Sequence, residues 1–167
     1  MYEAVVFDMD GVIFDTEVLY RKFEFERGAE YGLDEELMAK VCDAIAGGNK
    51  FTNKPKFEAL VGRGIDYFEW REGMIEAFDA YVKENGVVLK DGVVETLELL
   101  KSKGIKIGLA TSTAQDRAMN YFGKSEVAKY FDAMVFGDQL KNGKPAPDIY
   151  LMACEKLGVD PAKINRR

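Results

Sequence analysis

The chain has 167 residues, of which 47% are hydrophobic and 31% are charged, and its net charge is -6. This composition is ordinary for a globular protein with one core and a small additional unit. The negative charge argues against nucleic acid or an anionic membrane as the main partner. No apolar run approaches the length of a membrane span, and the N-terminus does not resemble a signal peptide. We therefore expect a cytoplasmic protein.

The sequence contains no histidine and two cysteines, Cys42 and Cys154. The lack of histidine excludes Ser-His and Cys-His catalytic pairs and histidine-bound zinc. The cysteines lie far apart in apolar helical patterns, so we interpret them as reduced core residues. Acid–base chemistry must then fall to carboxylates, lysine, tyrosine or a metal-bound water.

The first predicted element is a short apolar strand, residues 4–7, followed directly by Asp8 and Asp10. An uninterrupted apolar run is typical of a strand buried on both faces of a parallel sheet. Side chains two residues apart in an extended chain point the same way, so the two carboxylates should share one side. Gly11 permits a sharp turn beyond them. The pair suits a Mg²⁺-bound carboxylate nucleophile beside an acid–base carboxylate, although this spacing alone is more often a surface turn.

Helical patterns follow the acidic pair, and Asp34 and Pro55 stand where helices commonly begin. We interpret residues 16–87, which contain no predicted strand, as an all-α insertion. Residues 1–15 and 88–167 then form one discontinuous α/β core. The predicted helices of the insertion cover residues 16–31, 34–45, 55–60 and 66–85, with a flexible loop at residues 46–50.

Strand and helix patterns alternate in the rest of the chain. Thr113 and Asp116 resemble a capping box for one of these helices. Because right-handed helical crossovers place successive strands side by side, we expect one parallel sheet whose strands end at a common edge. The predicted strands cover residues 105–110 and 131–136, and the predicted helices cover residues 92–103, 113–121 and 147–157.

Polar residues follow these later strands as well. Thr111, Ser112 and Thr113 combine hydroxyls with the free N–H groups of a helix N-terminus, which is a natural anion site, although a plain helix cap is the favoured explanation for these residues alone. Lys144 lies in a loop stiffened by prolines. Most lysines are only solvated, but a rigid lysine opposite an acidic pair can neutralise a phosphoryl group.

Taken together in this order, the motifs resemble the haloacid dehalogenase-like superfamily of phosphohydrolases, in the branch with a helical cap inserted after the first motif. The resemblance runs over essentially the whole chain. It implies a Rossmann-like three-layer α/β core with a parallel sheet and an inserted all-α cap. Phosphatases and phosphomutases of phosphorylated sugars and related small metabolites are the most similar members. The matching stretches are residues 7–17, 109–113, 137–138 and 144–148.

The resemblance implies a role for each member of the acidic pair. Asp8 would attack phosphorus and become a transient aspartyl-phosphate. Asp10 would protonate the leaving alkoxide and then deprotonate the water that cleaves the intermediate. Mg²⁺ would be bound by the Asp8 carboxylate, the Asp10 backbone carbonyl and an acid from a fourth motif.

The resemblance also implies a phosphate site. Thr111, with the backbone N–H groups of Ser112 and Thr113, would hold the transferring phosphoryl oxygens, and Gly11 is included in the same phosphate-binding group. Lys144 would neutralise charge on the nucleophile and the phosphoryl group.

The helical insertion would contribute substrate contacts. Tyr20 stands where some sugar-phosphate mutases of the family carry a histidine, which favours hydrolysis over mutase activity. Lys50 and Asn53 lie in a cap loop that often faces the substrate in this family.

The sequence departs from the family where a fourth motif is expected. Ile164 could begin the strand, but no acid follows Asp160. We therefore expect the C-terminal strands to be missing, the metal to lack its third protein ligand, and the first strand to have an unpaired edge open to self-association. Truncation, an engineered fragment and pairing with another chain remain alternative explanations. Asp138 is a substitute ligand candidate, but a loop role is favoured for it.

The leading hypothesis is a Mg²⁺-dependent phosphomonoester hydrolase acting on small phosphorylated metabolites. The alternative is a catalytically impaired relative that acts by binding or assembly, which the missing fourth motif supports. A phospho-receiver domain would place its acidic residues on different strands and carry no helical insertion. Dehalogenase chemistry is disfavoured by the acid–base residue Asp10.

Overall fold

The computed structural model describes residues 2–48, 50–62, 64–123 and 125–166. Asn49, in the predicted flexible loop, lies outside the described residues. The strands are β1 (Ala4–Phe7), β2 (Lys106–Ala110), β3 (Ala133–Val135) and β4 (Ile164–Arg166). The helices are α1 (Thr16–Glu30), α2 (Glu35–Ile45), α3 (Lys50–Val61), α4 (Tyr67–Asn85), α5 (Val93–Ser102), α6 (Gln115–Phe122) and α7 (Asp148–Leu157).

The chain divides into two compact units. One unit comprises residues 1–16 and 82–167, and the other comprises residues 17–81. The second unit contains only helices among its described residues and lies within the segment 16–87 that the sequence assigns to a cap. The role of that segment as a cap stays a prediction.

The first unit contains a parallel sheet with the strand order β3-β2-β1-β4. This arrangement confirms the predicted parallel α/β fold. Most side chains of β1 and β2 are buried, as expected for apolar strands of a parallel sheet, whereas Val5 is partly buried and Lys106 is exposed. One core cluster consists of Ala4, Val6, Ala110, Val135, Ile149, Ala153 and Leu157.

The expectation that β1 has an unpaired edge is wrong. β4 pairs with it in parallel register, with Ala4 opposite Ile164 and Val6 opposite Arg166. A 3₁₀ turn capped by Asp160 directs the chain into this pairing, because the Asp160 side chain accepts a hydrogen bond from the N–H of Ala162. The sheet therefore contains a strand where the sequence suggested a missing one, and self-association through a bare β1 edge loses its basis.

Helix α3 begins at Lys50, five residues before the predicted start at Pro55. Proline is unfavourable inside a helix because it removes one backbone hydrogen bond. Tertiary contacts override this preference here: Asn53 and Phe57 are buried, and the Asn53 amide donates a 2.8 Å hydrogen bond to the carbonyl of Ile45. That bond ties the first turns of α3 to the end of α2.

The helical unit has its own core. The predicted cap of α2 is confirmed, since the Asp34 carboxylate accepts a 2.8 Å hydrogen bond from the N–H of Leu37. Cys42 is buried and forms no disulfide, and the same holds for Cys154 in the first unit. None of the helices in the described ranges is long and apolar enough to cross a membrane. The core cluster consists of Met38, Val41, Cys42, Ile45, Phe57, Tyr67 and Trp70.

Candidate active site

Two acidic side chains stand at the carboxyl end of β1, as the spacing predicts. Met9 between them is fully buried, while Asp8 and Asp10 are partly exposed, which is the alternation expected of an extended chain. Gly11 then turns the chain with φ at 69°, a left-handed conformation that favours glycine. Its N–H donates to the carbonyl of Phe14 at 2.9 Å and to the hydroxyl of Thr16 at 3.1 Å.

Lys144 lies directly against Asp8. The distance between its Nζ and the Asp8 Oδ1 is 2.9 Å, and the N–H of Met9 donates to the same oxygen at 2.8 Å. The Lys144 ammonium also donates a 2.9 Å hydrogen bond to the carbonyl of Ala110 at the end of β2. The proline-containing loop thus places a fixed positive charge beside the predicted nucleophile, as the sequence suggested.

The carboxylate of Asp10 has two different oxygen environments. Oδ2 accepts a 3.0 Å hydrogen bond from the hydroxyl of Thr113, whereas Oδ1 is buried and has no hydrogen-bond partner among the described residues. Burial raises the pKa of Asp10, and the charge of Asp8 acts in the same direction. The hydroxyl of Thr113, the charge of Arg117 and the hydroxyl of Thr16 partly oppose this rise in pKa. A carboxyl group that holds its proton more tightly than usual suits a general acid.

The segment after β2 carries the predicted hydroxyl cluster. Thr111 is fully buried, and its N–H donates to the carbonyl of Val135 at 3.1 Å. Its hydroxyl accepts a 3.1 Å hydrogen bond from the N–H of Thr113, while Ser112 is exposed. The Thr113 hydroxyl therefore contacts Asp10, and the buried Thr111 hydroxyl contacts the backbone of Thr113.

The predicted capping box of Thr113 and Asp116 is wrong. Helix α6 begins at Gln115, and its cap residue Ala114 makes no side-chain hydrogen bond. The cap comes from Asp138 in another loop, whose Oδ1 accepts a 3.1 Å hydrogen bond from the N–H of Gln115. This contact agrees with the loop role favoured for Asp138.

The acidic residues present suit a hydrated Mg²⁺. Both polar contacts of Asp8 go to Oδ1, and Oδ2 has no hydrogen bond or ion pair with any described residue. Mg²⁺ prefers oxygen ligands and usually keeps several waters, so one or two protein carboxylates can hold it. No group of three or more acids, cysteines or histidines that could hold a metal occurs in the described ranges. The donor set therefore fits an ion bound mainly through Asp8.

Tyr20 and Lys50 belong to the helical unit. The Tyr20 ring stacks on Phe78 with a centroid distance of 4.4 Å and an interplanar angle of 11°. Lys50 is the first residue of α3, and its Nζ lies 5.1 Å from the ring centroid of the exposed Phe51. Their roles as substrate contacts stay predictions.

Arg117 is a charged residue near Asp10 that the sequence analysis did not single out. Its positive charge lowers the pKa of Asp10 against the effect of burial. A signal was available, because Arg117 lies in the first turn of α6, where a basic residue is unfavourable to the helix dipole. A basic residue at such a position is a candidate for an interaction outside the helix.

We expect an Asp10→Asn variant to be more stable than the native protein at pH 7.5, by on the order of 1 kcal/mol. The folded state raises the pKa of Asp10. Ionisation of Asp10 therefore opposes folding above the pKa of the unfolded state, and this cost disappears as the pH falls below that value. Urea unfolding at pH 7.5 and pH 4 measures the difference, with Asp91→Asn as an exposed control. A gain that is absent at pH 7.5, or larger at pH 4, would contradict the expectation.

A family model and individual relatives assign this chain to the same protein family. The model of the haloacid dehalogenase-like hydrolases matches residues 2–164. A relative from Thermotoga maritima, named phosphorylated carbohydrates phosphatase, is 43% identical over 166 residues, which are 97% of this chain and 74% of the relative. Hexitol phosphatase B from Escherichia coli is 28% identical over 158 residues, which are 95% of this chain and 71% of that protein.

Solved structures agree with these relatives. A Thermotoga maritima structure is similar with a TM-score of 0.75 and 38% identity, and the match covers 98% of this chain and 74% of the other. The β-phosphoglucomutase of Clostridium difficile is similar with a TM-score of 0.71 and 25% identity, over 99% of this chain and 75% of that one. The family model spans nearly the whole chain, and the first of the two phosphatase relatives exceeds 40% identity. This protein therefore belongs to the haloacid dehalogenase-like hydrolase family.

Proposed function

We propose that this protein is a Mg²⁺-dependent phosphatase that hydrolyses phosphate monoesters of small sugars through an aspartyl-phosphate on Asp8. The observation that carries the proposal is the arrangement at the end of β1. Asp8 pairs with the Lys144 ammonium at 2.9 Å, and Asp10 beside it is partly buried, which raises its pKa. The proposed nucleophile and proton donor thus lie within three residues after β1, and the loop before α7 supplies a fixed cation beside them.

In the first step, an oxygen of Asp8 attacks phosphorus and the bond between phosphorus and the ester oxygen breaks. The proton of Asp10 passes to the departing alkoxide, so that the sugar leaves as an alcohol. In the second step, water attacks the aspartyl-phosphate and gives a proton to Asp10. Inorganic phosphate leaves, and both carboxyl groups return to their starting states.

Charge compensation is the main requirement of this chemistry, because the phosphoryl group and Asp8 are both negative. Lys144 supplies one positive charge, and its hydrogen bond to Ala110 fixes its position before substrate arrives. Bound Mg²⁺ would supply further charge neutralisation for the phosphoryl oxygens. Thr111, Ser112, Thr113 and Gly11 are proposed to line the phosphate site.

The sugar specificity is supported by relatives whose names describe phosphatases of phosphorylated carbohydrates and of hexitols. Within the helical unit, Tyr20 and Lys50 are the proposed contacts to the leaving group. Tyrosine and lysine can bind a sugar and its charged groups, but their unperturbed pKa values lie well above neutrality, so both suit the acid–base role of the mutase histidine less well. Hydrolysis is therefore proposed rather than transfer within the sugar.

A specific observation supports a second candidate, a catalytically impaired relative. The described residues contain no cluster of three acids, cysteines or histidines for a metal. If Asp8 and water cannot retain Mg²⁺, the chain would bind phosphorylated sugars without turning them over.

Release of phosphate from p-nitrophenyl phosphate and a panel of sugar phosphates distinguishes the two candidates. The assay uses the chain after its length has been checked by mass spectrometry, with Mg²⁺ and with excess EDTA. We expect turnover that requires Mg²⁺ and that is faster with at least one sugar phosphate than with the others. Turnover that is equal in Mg²⁺ and EDTA would contradict the metal dependence. No turnover above that of an inactive variant purified in parallel would refute the proposed enzyme.

A further inference from the structure

The hydroxyl of Thr113 has a partner that its position in the sequence does not predict. A threonine just before a helix normally caps that helix, and the resemblance to phosphohydrolases instead implies a phosphate contact through its backbone. In the structure the hydroxyl donates to Asp10 Oδ2 at 3.0 Å. Thr113 and Asp10 lie 103 residues apart in the chain, so this contact depends on the folded arrangement of β1 beside β2.

Other residues take over the capping of α6 and so release the Thr113 hydroxyl. Asp138 accepts the hydrogen bond from the N–H of Gln115 at 3.1 Å, and the cap residue Ala114 has no polar side chain. The start of the helix is therefore satisfied without Thr113.

The backbone of Thr113 is held on both sides. Its N–H donates to the Thr111 hydroxyl at 3.1 Å, and its carbonyl accepts a hydrogen bond from the N–H of Gly137 at 3.0 Å. The β-branched side chain of threonine is restricted at χ1, so a fixed backbone leaves few positions for its hydroxyl. The contact with Asp10 is thus part of a connected network rather than an isolated surface bond.

The geometry points to Thr113 as a positioning residue for Asp10. Its hydroxyl holds Oδ2 and thereby fixes the orientation of the carboxyl group that exchanges a proton with the leaving group. This inference rests on the proposed phosphatase function. It assigns the Thr113 side chain to the proton-transfer step and leaves the phosphoryl oxygens to Lys144 and the backbone of the Thr111–Thr113 segment.

Positioning Asp10 and holding the phosphoryl group predict different dependences of the rate on the leaving group. A sugar alkoxide is a poor leaving group and needs a proton from Asp10, whereas dinitrophenolate leaves without one. A defect in positioning Asp10 therefore slows sugar phosphates selectively. A defect in holding the phosphoryl group slows both kinds of ester, because both transfer the same group.

The test compares kcat/KM for the best sugar phosphate and for dinitrophenyl phosphate in Thr113→Val, Thr113→Ala and Thr113→Ser. This constant reports the steps up to departure of the leaving group. We expect Thr113→Val and Thr113→Ala to lower kcat/KM for the sugar phosphate by about 10- to 100-fold and for dinitrophenyl phosphate by less than about threefold. Thr113→Ser, which keeps the hydroxyl, should restore the native ratio of the two constants.

Two controls separate this role from others. Lys144→Met, which removes the charge assigned to the phosphoryl group, should lower both constants by similar factors, and Thr96→Val, at an exposed position of α5, should change neither. The ratio of the two constants within one preparation does not depend on how much of the variant is folded.

Equal losses with both substrates, or no loss with the sugar phosphate, would overturn the inference while leaving the phosphatase in place. Native protein that hydrolyses neither ester would overturn the proposed function, and the inference with it. Failure of Thr113→Ser to restore the ratio would also count against a role of the hydroxyl.

Discussion

An Asp8→Asn variant should lose at least about 10³-fold of the Mg²⁺-dependent phosphatase activity while keeping its fold. The amide is close in size to the carboxylate and can still accept the hydrogen bond from the N–H of Met9. It cannot attack phosphorus as an anion or form an aspartyl-phosphate. It also removes the negative charge that faces Lys144 at 2.9 Å.

Two measurements check this expectation. Phosphate release with the best sugar phosphate gives the loss of turnover, and rapid-quench labelling with substrate carrying radioactive phosphate tests for the covalent intermediate. The native protein should be labelled transiently, and Asp8→Asn should not be labelled. Asp91→Asn, which changes an exposed aspartate at the start of α5, is the matched control and should keep native activity. Label retained in Asp8→Asn would assign the nucleophile to another residue.

Gly137→Ala should destabilise the protein by about 2–4 kcal/mol and abolish activity. A Cβ at this position would lie 2.1 Å from the carbonyl oxygen of Ser112 and 2.6 Å from its carbonyl carbon. Both are backbone atoms, so no side-chain rotation can relieve the overlap. The segment that must move holds Thr111 and Thr113, and the N–H of Gly137 itself bonds to the carbonyl of Thr113.

Gly143→Ala is the matched control, because a Cβ there would meet nothing within 4 Å. Urea unfolding of the two variants and of the native protein gives the free energies, and activity is measured under conditions where each variant remains folded. We expect Gly143→Ala to be within about 0.5 kcal/mol of the native protein. Equal stability of the two variants would show that the Ser112 carbonyl does not constrain position 137.

The sequence is informative wherever a residue pattern has a clear period or a fixed topological consequence. The apolar run before Asp8 predicts β1 and the direction of both carboxylates. Successive side chains of an extended chain point to opposite sides, so Asp8 and Asp10 point away from the buried Met9. The approach of Lys144 to Asp8 follows from a parallel sheet, since loops after successive strands meet at one edge. These features need no knowledge of distant side chains.

Other features depend on contacts that no local pattern records. β4 has three residues, which is too short to show a period, and its pairing with β1 becomes visible only in the fold. The capping of α6 by Asp138 instead of Thr113 also depends on contacts between residues that are distant in the sequence. Capping patterns are local, whereas Asp138 reaches Gln115 from 23 residues away and Asp10 competes for Thr113 from 103 residues away.

The double anchoring of Lys144 has a consequence for how many hydrogen bonds it can offer a substrate. An ammonium carries three N–H groups. One is directed to the carbonyl of Ala110, while the ammonium also pairs with Asp8 Oδ1 and lies 5.4 Å from the ring centroid of Tyr150. These contacts fix the position of the ammonium and limit the directions from which it can donate to an incoming oxygen. An arginine, whose planar fork needs two acceptors in line, could not reproduce this geometry even though it carries the same charge.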